Sequence, residues 1–131
     1  MADLRELTHQ YVAAFNARDI NGVAALLSED FCLTDPSVTR LAPREKAVEY
    51  IHGLFRSNSL LKFEAMNILV DGDSSVIHFG LTLDGSIYHG IDLITWKKEK
   101  MSTMTAYLTV LSKSNEPTAQ DEKVFSNPFQ A

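Results

Sequence analysis

Residues 74–112, SSVIHFGLTL-DG-SIYHGIDLITWK-KEK-MSTMTAYLTVLS, alternate their side-chain character with a period of two and break at Asp84-Gly85 and Lys98-Glu99-Lys100. That period places successive side chains on opposite faces of a strand, and the breaks read as turns, so the segment predicts three strands of an antiparallel meander. Ile77, Phe79, Leu81 and Leu83 share one face of the first strand. Met104, Ala106, Leu108 and Val110 share one face of the last, opposite Thr103, Thr105, Tyr107 and Thr109. Upstream, residues 60–70 keep the same period and end at Asp71-Gly72-Asp73, which adds a fourth strand.

Further upstream the period becomes helical. Leu4, Leu7, Tyr11, Ala14 and Phe15 predict an amphipathic helix over 4–17. Asp19-Ile20-Asn21-Gly22 breaks it, and 23–27 forms a second, short helix with Asp19 as its N-cap. Residues 31–34 make a short strand that stops at Asp35-Pro36, a turn opener. Pro43 opens a third helix through Phe55, with Ala47, Val48, Ile51 and Phe55 as its apolar face. Helices first and a meander after them predict an α+β domain, three helices packed on one face of a curved antiparallel sheet. The domain covers 1–112; residues 113–131 are polar, carry Pro117 and Pro128, and read as a tail.

The 131 residues suffice for one core without a metal or disulfide staple, about two-thirds of the chain's surface being buried on folding. A net charge of −5 with no basic run argues against nucleic acid and anionic membrane surfaces as partners. Cys32 is the sole cysteine, so no disulfide closes within the chain. With charged residues in the first ten positions and no apolar run near the ~20 residues of a membrane span, a cytoplasmic location is the expectation. HExxH, GxGxxG, Gly-Lys-Ser/Thr and a nucleophile elbow are all missing, so neither a metal nor another cofactor is expected.

Three polar residues fall where the pattern predicts apolar surroundings. Tyr11 lies on the inward stripe of the first helix, as a core tyrosine or as a donor aimed at a ligand. Asp92 shares its strand face with Tyr88, Gly90, Ile94 and Trp96. If that face is inside, the carboxyl must be paired or keep its proton, because an unpaired buried charge costs several kcal/mol. If Ile91, Leu93 and Thr95 are inside instead, Asp92 is solvated. Asp35, before Pro36, marks a turn and by itself no more. His52 sits on the flank of the third helix beside Val48 and Ile51, as a satisfied core histidine, and His78 and His89 point away from the inner faces of their strands.

The run from Tyr11 through YVAAFNARDINGVAALL to Thr34-Asp35-Pro36 resembles the N-terminal half of the steroid delta-isomerase (ketosteroid isomerase) family. Ile91-Asp92 and Ser102-Thr103-Met104-Thr105-Ala106 resemble two later blocks of that family in the same order, so the similarity spans residues 4–110. The resemblance implies a nuclear transport factor 2-like cone around a deep apolar pocket, and a homodimer through the outer sheet face. It also implies roles: Tyr11 and a protonated Asp92 as the oxyanion hole, Asp35 as the general base. The family's supporting tyrosine falls at Ile51 or His52; a histidine there could hydrogen-bond the Tyr11 hydroxyl, and Tyr50 would face differently. Pro43 stands where a glycine usually opens the third helix.

The expected chemistry is proton abstraction alpha to a carbonyl, shifting a C=C bond in an apolar, steroid-like substrate. Ile77, Phe79, Leu81, Trp96, Met104 and Leu108 are the expected walls of its site. Two rivals share the fold: a polyketide-cyclase-, dehydratase- or epoxide-hydrolase-like enzyme, which pocket histidines would mark, and a non-catalytic small-molecule-binding dimer.

Overall fold

Two aspartates start the first two helices of the computed structural model, which describes residues 3–36 and 38–113. The Asp3 carboxylate accepts from the backbone N–H groups of Arg5 and Glu6 at the head of α1 (Leu4–Asn16), and Asp19 accepts from Gly22 at the head of α2 (Ile20–Ala25). The predicted cap at Asp19 is therefore observed, but the helix starts three residues earlier than the break at Gly22 suggests. A Cβ on residue 22 would lie 2.5 Å from Asp19 Oδ2. Gly22 makes room for the cap inside the first turn and does not break the helix.

The short strand also starts early: β1 runs over Leu27–Asp35. After it comes a strand the sequence pattern did not show, β2 (Val38–Leu41), which pairs antiparallel with β1 as Asp35↔Val38 and Leu33↔Leu41. The turn expected at Asp35-Pro36 is thus the tip of a hairpin. Pro43 is the N-cap of α3 (Arg44–Ser57), one position outside the first turn.

The remaining strands are β3 (Leu61–Asp71), β4 (Ser74–Leu83), β5 (Ser86–Lys97) and β6 (Lys100–Lys113). They form the predicted antiparallel meander, in a sheet of order β2-β1-β6-β5-β4-β3. The sheet as a whole is mixed, because β1 pairs with β6 in parallel, Leu33 opposite Met104. Parallel neighbours need a long crossover, and here α3 with the whole β3–β5 meander supplies it. The predicted tail, apart from its first residue at the end of β6, lies outside the described residues.

The end of α1 and the residues after it fasten that helix to β3 and to the end of α3. Asn16 mimics a strand neighbour, its amide donating to the Phe63 carbonyl at 2.7 Å and its oxygen accepting from the Phe63 N–H at 2.8 Å. Arg18 donates to the carbonyls of Phe55, Asn58 and Ser59, satisfying the C-terminal end of α3. The core between helices and sheet is built from Phe15, Phe31, Phe55, Phe63, Ile77, Ile94 and Met101 with their neighbours.

Candidate active site

A cavity of about 220 Å³ opens between the helices and the inner sheet face. Tyr11, Asp35 and Asp92 all line it. Each arrives there through an ordinary periodicity. Thr8, Tyr11 and Phe15 are the buried residues of α1, one stripe at i, i+3 and i+7. Phe31, Leu33 and Asp35 alternate onto one face of β1, the first two being buried. Along β5, Asp92, Ile94 and Trp96 are buried whereas Ile91 and Leu93 are exposed, which decides between the two orientations the sequence left open.

Tyr11 is 3% exposed and its ring is boxed by Phe15 and by an edge-on Phe63, at centroid distances of 6.1 and 6.3 Å. Among the described residues its hydroxyl finds only the Met104 thioether, at 4.0 Å. Sulfur is a weak acceptor, so the phenol keeps most of its donor strength for a ligand. Burial, followed by the charge of Asp92, raises the Tyr11 pKa, and the group stays a neutral donor at any ordinary pH.

Asp92 is 5% exposed, and no hydrogen bond or ion pair reaches it among the described residues. Yet no fully enclosed side-chain oxygen there lacks a partner, so its carboxyl oxygens meet the cavity space. Burial first, and the charge on Asp35 second, raise its pKa from 3.8 to about 8. Around neutral pH it is a carboxylic acid with a proton to donate.

Asp35 sits at the hairpin tip, half-buried, where Tyr50 donates a hydrogen bond to its Oδ2 at 3.2 Å. The sequence reading turned Tyr50 away from this site; the structure brings it in. The signal was present: Ala47, Tyr50, Ile51 and Leu54 form an i, i+3, i+4, i+7 stripe, and the last three of these line the cavity. Of the two positions the sequence left open for a supporting residue, Ile51 lines the cavity. His52 does not support Tyr11, because the helix carries it round to a groove between α2 and α3 with Ala24, Val48 and Arg56. That groove is larger, about 640 Å³, but open, and Glu45, Glu49 and Arg56 on its rim are exposed.

Of the six expected wall residues, Phe79, Leu81, Met104 and Leu108 line the cavity. Ile77 and Trp96 do not; they are buried one layer deeper, Ile77 fully and Trp96 with its indole N–H bonded to Ser75 Oγ at 2.9 Å. Phe15, Leu33, Phe63, Leu83, Tyr88 and Ala106 complete the wall among the described residues. From Phe79 to Leu83 on β4 the cavity runs about 13 Å, at about 3.3 Å per residue. His78 and His89 lie outside, lining a groove on the outer sheet face with Ile91, Leu93 and Tyr107.

This arrangement offers two buried neutral donors, one carboxyl at a hairpin tip, the tyrosines Tyr50 and Tyr88, and otherwise apolar walls. Among the described residues no three His, Cys, Asp or Glu side chains gather where they could hold a metal ion. No helix among them is long and apolar enough to cross a membrane.

A family model described as a SnoaL-like domain matches residues 8–104. No curated protein matches the chain. Among solved structures, an NTF2-like protein of unknown function from Cytophaga hutchinsonii superposes with a TM-score of 0.74 at 14% identity, over 83% of this chain and 92% of that one. A proposed ketosteroid isomerase from Kribbella flavida gives 0.71 at 21%, over 90% and 84%. An epoxide hydrolase from M. tuberculosis gives 0.66 at 14%, over 79% and 80%. At these identities the superpositions establish the shared fold, in which isomerases and hydrolases both occur.

Proposed function

The chain belongs to the SnoaL-like domain family, and we propose that within it this protein is a ketosteroid-isomerase-like enzyme, shifting a C=C bond in an apolar carbonyl compound. The observation that carries this reading is the meeting of Tyr11, Asp35 and Asp92 in one apolar cavity, with the two buried groups held neutral. The carbonyl oxygen of the substrate takes hydrogen bonds from the Tyr11 phenol and the Asp92 acid. Asp35 removes a proton from the carbon alpha to that carbonyl. The C–H electron pair moves into a dienolate, whose oxygen charge the two donors stabilise. Asp35 then returns the proton to the gamma carbon, leaving a conjugated enone.

A low-dielectric site favours this chemistry because its donors are fixed before the charge forms. The cavity, about 220 Å³, is below the roughly 300–1,000 Å³ usual for drug-sized ligands. It encloses the carbonyl ring, and the rest of a steroid-like substrate would project from the mouth. A cyclase- or epoxide-hydrolase-like chemistry has less support: His78 and His89 line the outer groove, not the cavity.

The lone Cys32 and acidic charge fit a cytoplasmic protein. The outer sheet face exposes Leu69, Ile91, Leu93 and Tyr107, an apolar patch that suits a homodimer. Loss of a dimeric elution volume in Tyr107→Lys tests it.

For the reaction, a β,γ-unsaturated 3-ketosteroid is mixed with the protein and the conjugated enone followed by ultraviolet absorbance. Conversion that Asp35→Asn abolishes supports the reading. A protein that neither converts the ketone nor binds a planar phenol is a different molecule from the one proposed.

A further inference from the structure

Among the described residues, two carboxyls share this cavity without a cation. The ionisable groups that face it are Tyr11 from α1, Asp35 from β1, Tyr50 from α3, and Tyr88 and Asp92 from β5; the lining residues of β3, β4 and β6 carry none. No Lys, Arg or His is among the described residues that line it. Two like charges in such a space repel and one carboxyl keeps a proton; the deeper burial of Asp92 favours the acid form there, and the hydrogen-bond donors around the pair add to that bias. The donors are distributed unevenly. Asp35 receives the Tyr50 hydroxyl on Oδ2 at 3.2 Å, whereas no described residue donates to Asp92. A donor to a carboxylate stabilises its ionised form and holds the carboxyl plane in one orientation.

We propose that Tyr50 is a positioning residue that, by donating to Asp35 Oδ2, holds the charge on Asp35 and so reinforces the proton on Asp92. The inference rests on the isomerase reading for its catalytic meaning, since a base and an acid must be told apart, but its test does not need turnover. Tyr50 also lines the cavity, half-buried, so the same ring that orients the base stands against a bound substrate.

The test follows proton uptake by the Asp35–Asp92 pair with carboxyl-¹³C-labelled aspartate, the signals assigned through Asp35→Asn and Asp92→Asn. In Tyr50→Phe the lower of the pair's two uptake steps rises by about one pH unit, the worth of one charge-assisted hydrogen bond. A ring-fluorinated tyrosine inserted at position 50, a stronger donor, moves that step down, which a merely structural role would not do. In the Asp35→Asn background, Tyr50→Phe leaves the Asp92 step in place, because Tyr50 acts through Asp35. A lower step that stays put in both Tyr50 variants overturns the proposal, as does an Asp92 step that moves without Asp35. A wild-type protein that converts no ketosteroid sinks the isomerase reading and leaves this result to stand or fall by itself.

Discussion

Trp96 and Thr8 meet through one atom, the Oγ of Ser75, which lies 2.9 Å from the indole nitrogen and 2.9 Å from the threonine hydroxyl. The chain of bonds continues from Thr8 to the Leu4 carbonyl at 2.6 Å, so β5, β4 and α1 are tied by one buried polar thread. Thr8 stands one turn before Tyr11 on α1, and Trp96 stands on the same β5 face as Asp92. The thread therefore sets helix against sheet one layer beneath Tyr11 and Asp92. Ser75→Ala leaves a buried indole N–H without a partner and costs about 1–3 kcal/mol. Thermal unfolding by circular dichroism reads this as a midpoint several degrees lower; an unchanged midpoint would mean that the thread holds nothing.

The Asp92 proton makes stability and turnover depend on pH in the same direction. Its pKa rises from 3.8 to about 8 on folding. Between those values the folded chain holds a proton that the unfolded chain has released, so stability falls as pH climbs from about 4 and the loss is complete above about 8. Asp92→Asn is neutral and nearly isosteric, and removes that slope. Denaturant titrations at pH 5 and pH 9 should show wild type losing more than the variant, and parallel losses would count against a buried acid. Turnover should likewise fall above pH about 8 in wild type, whereas Asp92→Asn, still an N–H donor, should lack that basic limb.

Tyr11→Phe separates chemistry from packing. The ring keeps its contacts with Phe15 and Phe63, and the lost hydroxyl gives up only a 4.0 Å contact to the Met104 sulfur. The stability cost stays below about 1 kcal/mol. Turnover of the β,γ-unsaturated ketone falls about 10²–10³-fold, the usual cost of one oxyanion donor. A rate within a few-fold of wild type would remove Tyr11 from the mechanism.

Which parts of this were legible in the sequence follows from how local each signal is. The meander was legible because strand alternation and turn residues repeat within a dozen positions, and the capping aspartate at 19 because the N–H that donates to it is three residues away. The parallel pairing of β1 with β6 was not, since Leu33 and Met104 become neighbours only after the whole meander has folded. Trp96 was assigned to the cavity wall because it shares the Asp92 face, which is correct. Strand parity says nothing about depth, and the Ser75 hydroxyl anchors Trp96 below the cavity floor. Tyr50 is hard to place from sequence because two apolar stripes overlap on α3, and the one through Val48 and Phe55 points to one side of the other. The roles of Tyr11, Asp35 and Asp92 came from resemblance; periodicity alone marked their surroundings as unusual.

The β5–β6 turn carries a conformational cost that one substitution relieves. Lys98 and Glu99 have φ of 52° and 67°, both left-handed, as a tight hairpin matching the sheet twist requires. Neither is glycine or asparagine. Glu99→Gly should stabilise the domain by about 0.5–1 kcal/mol. Urea titration checks this, and a lower midpoint would show that the Glu99 side chain outweighs its backbone.

Gly90 sits between Tyr88 and Asp92 on the inner face of β5, where Phe79 is its partner across the sheet. A Cβ there would press on the Tyr107 carbonyl oxygen and lie 2.8 Å from both Leu108 Cβ and Phe79 Cζ. The backbone oxygen belongs to the β5–β6 ladder and cannot give way cheaply, so the Phe79 ring must move, and the room open to it is the cavity it lines. Gly90→Ala should therefore cost about 1–3 kcal/mol, as overpacked sites do. It should also weaken binding of a planar phenol at least tenfold, by filling space beside the Asp92 acid. Calorimetric titration of the two proteins with 2-naphthol measures the second effect apart from the first. An affinity equal to wild type would show that Phe79 finds room elsewhere and that the cavity floor is softer than its packing implies.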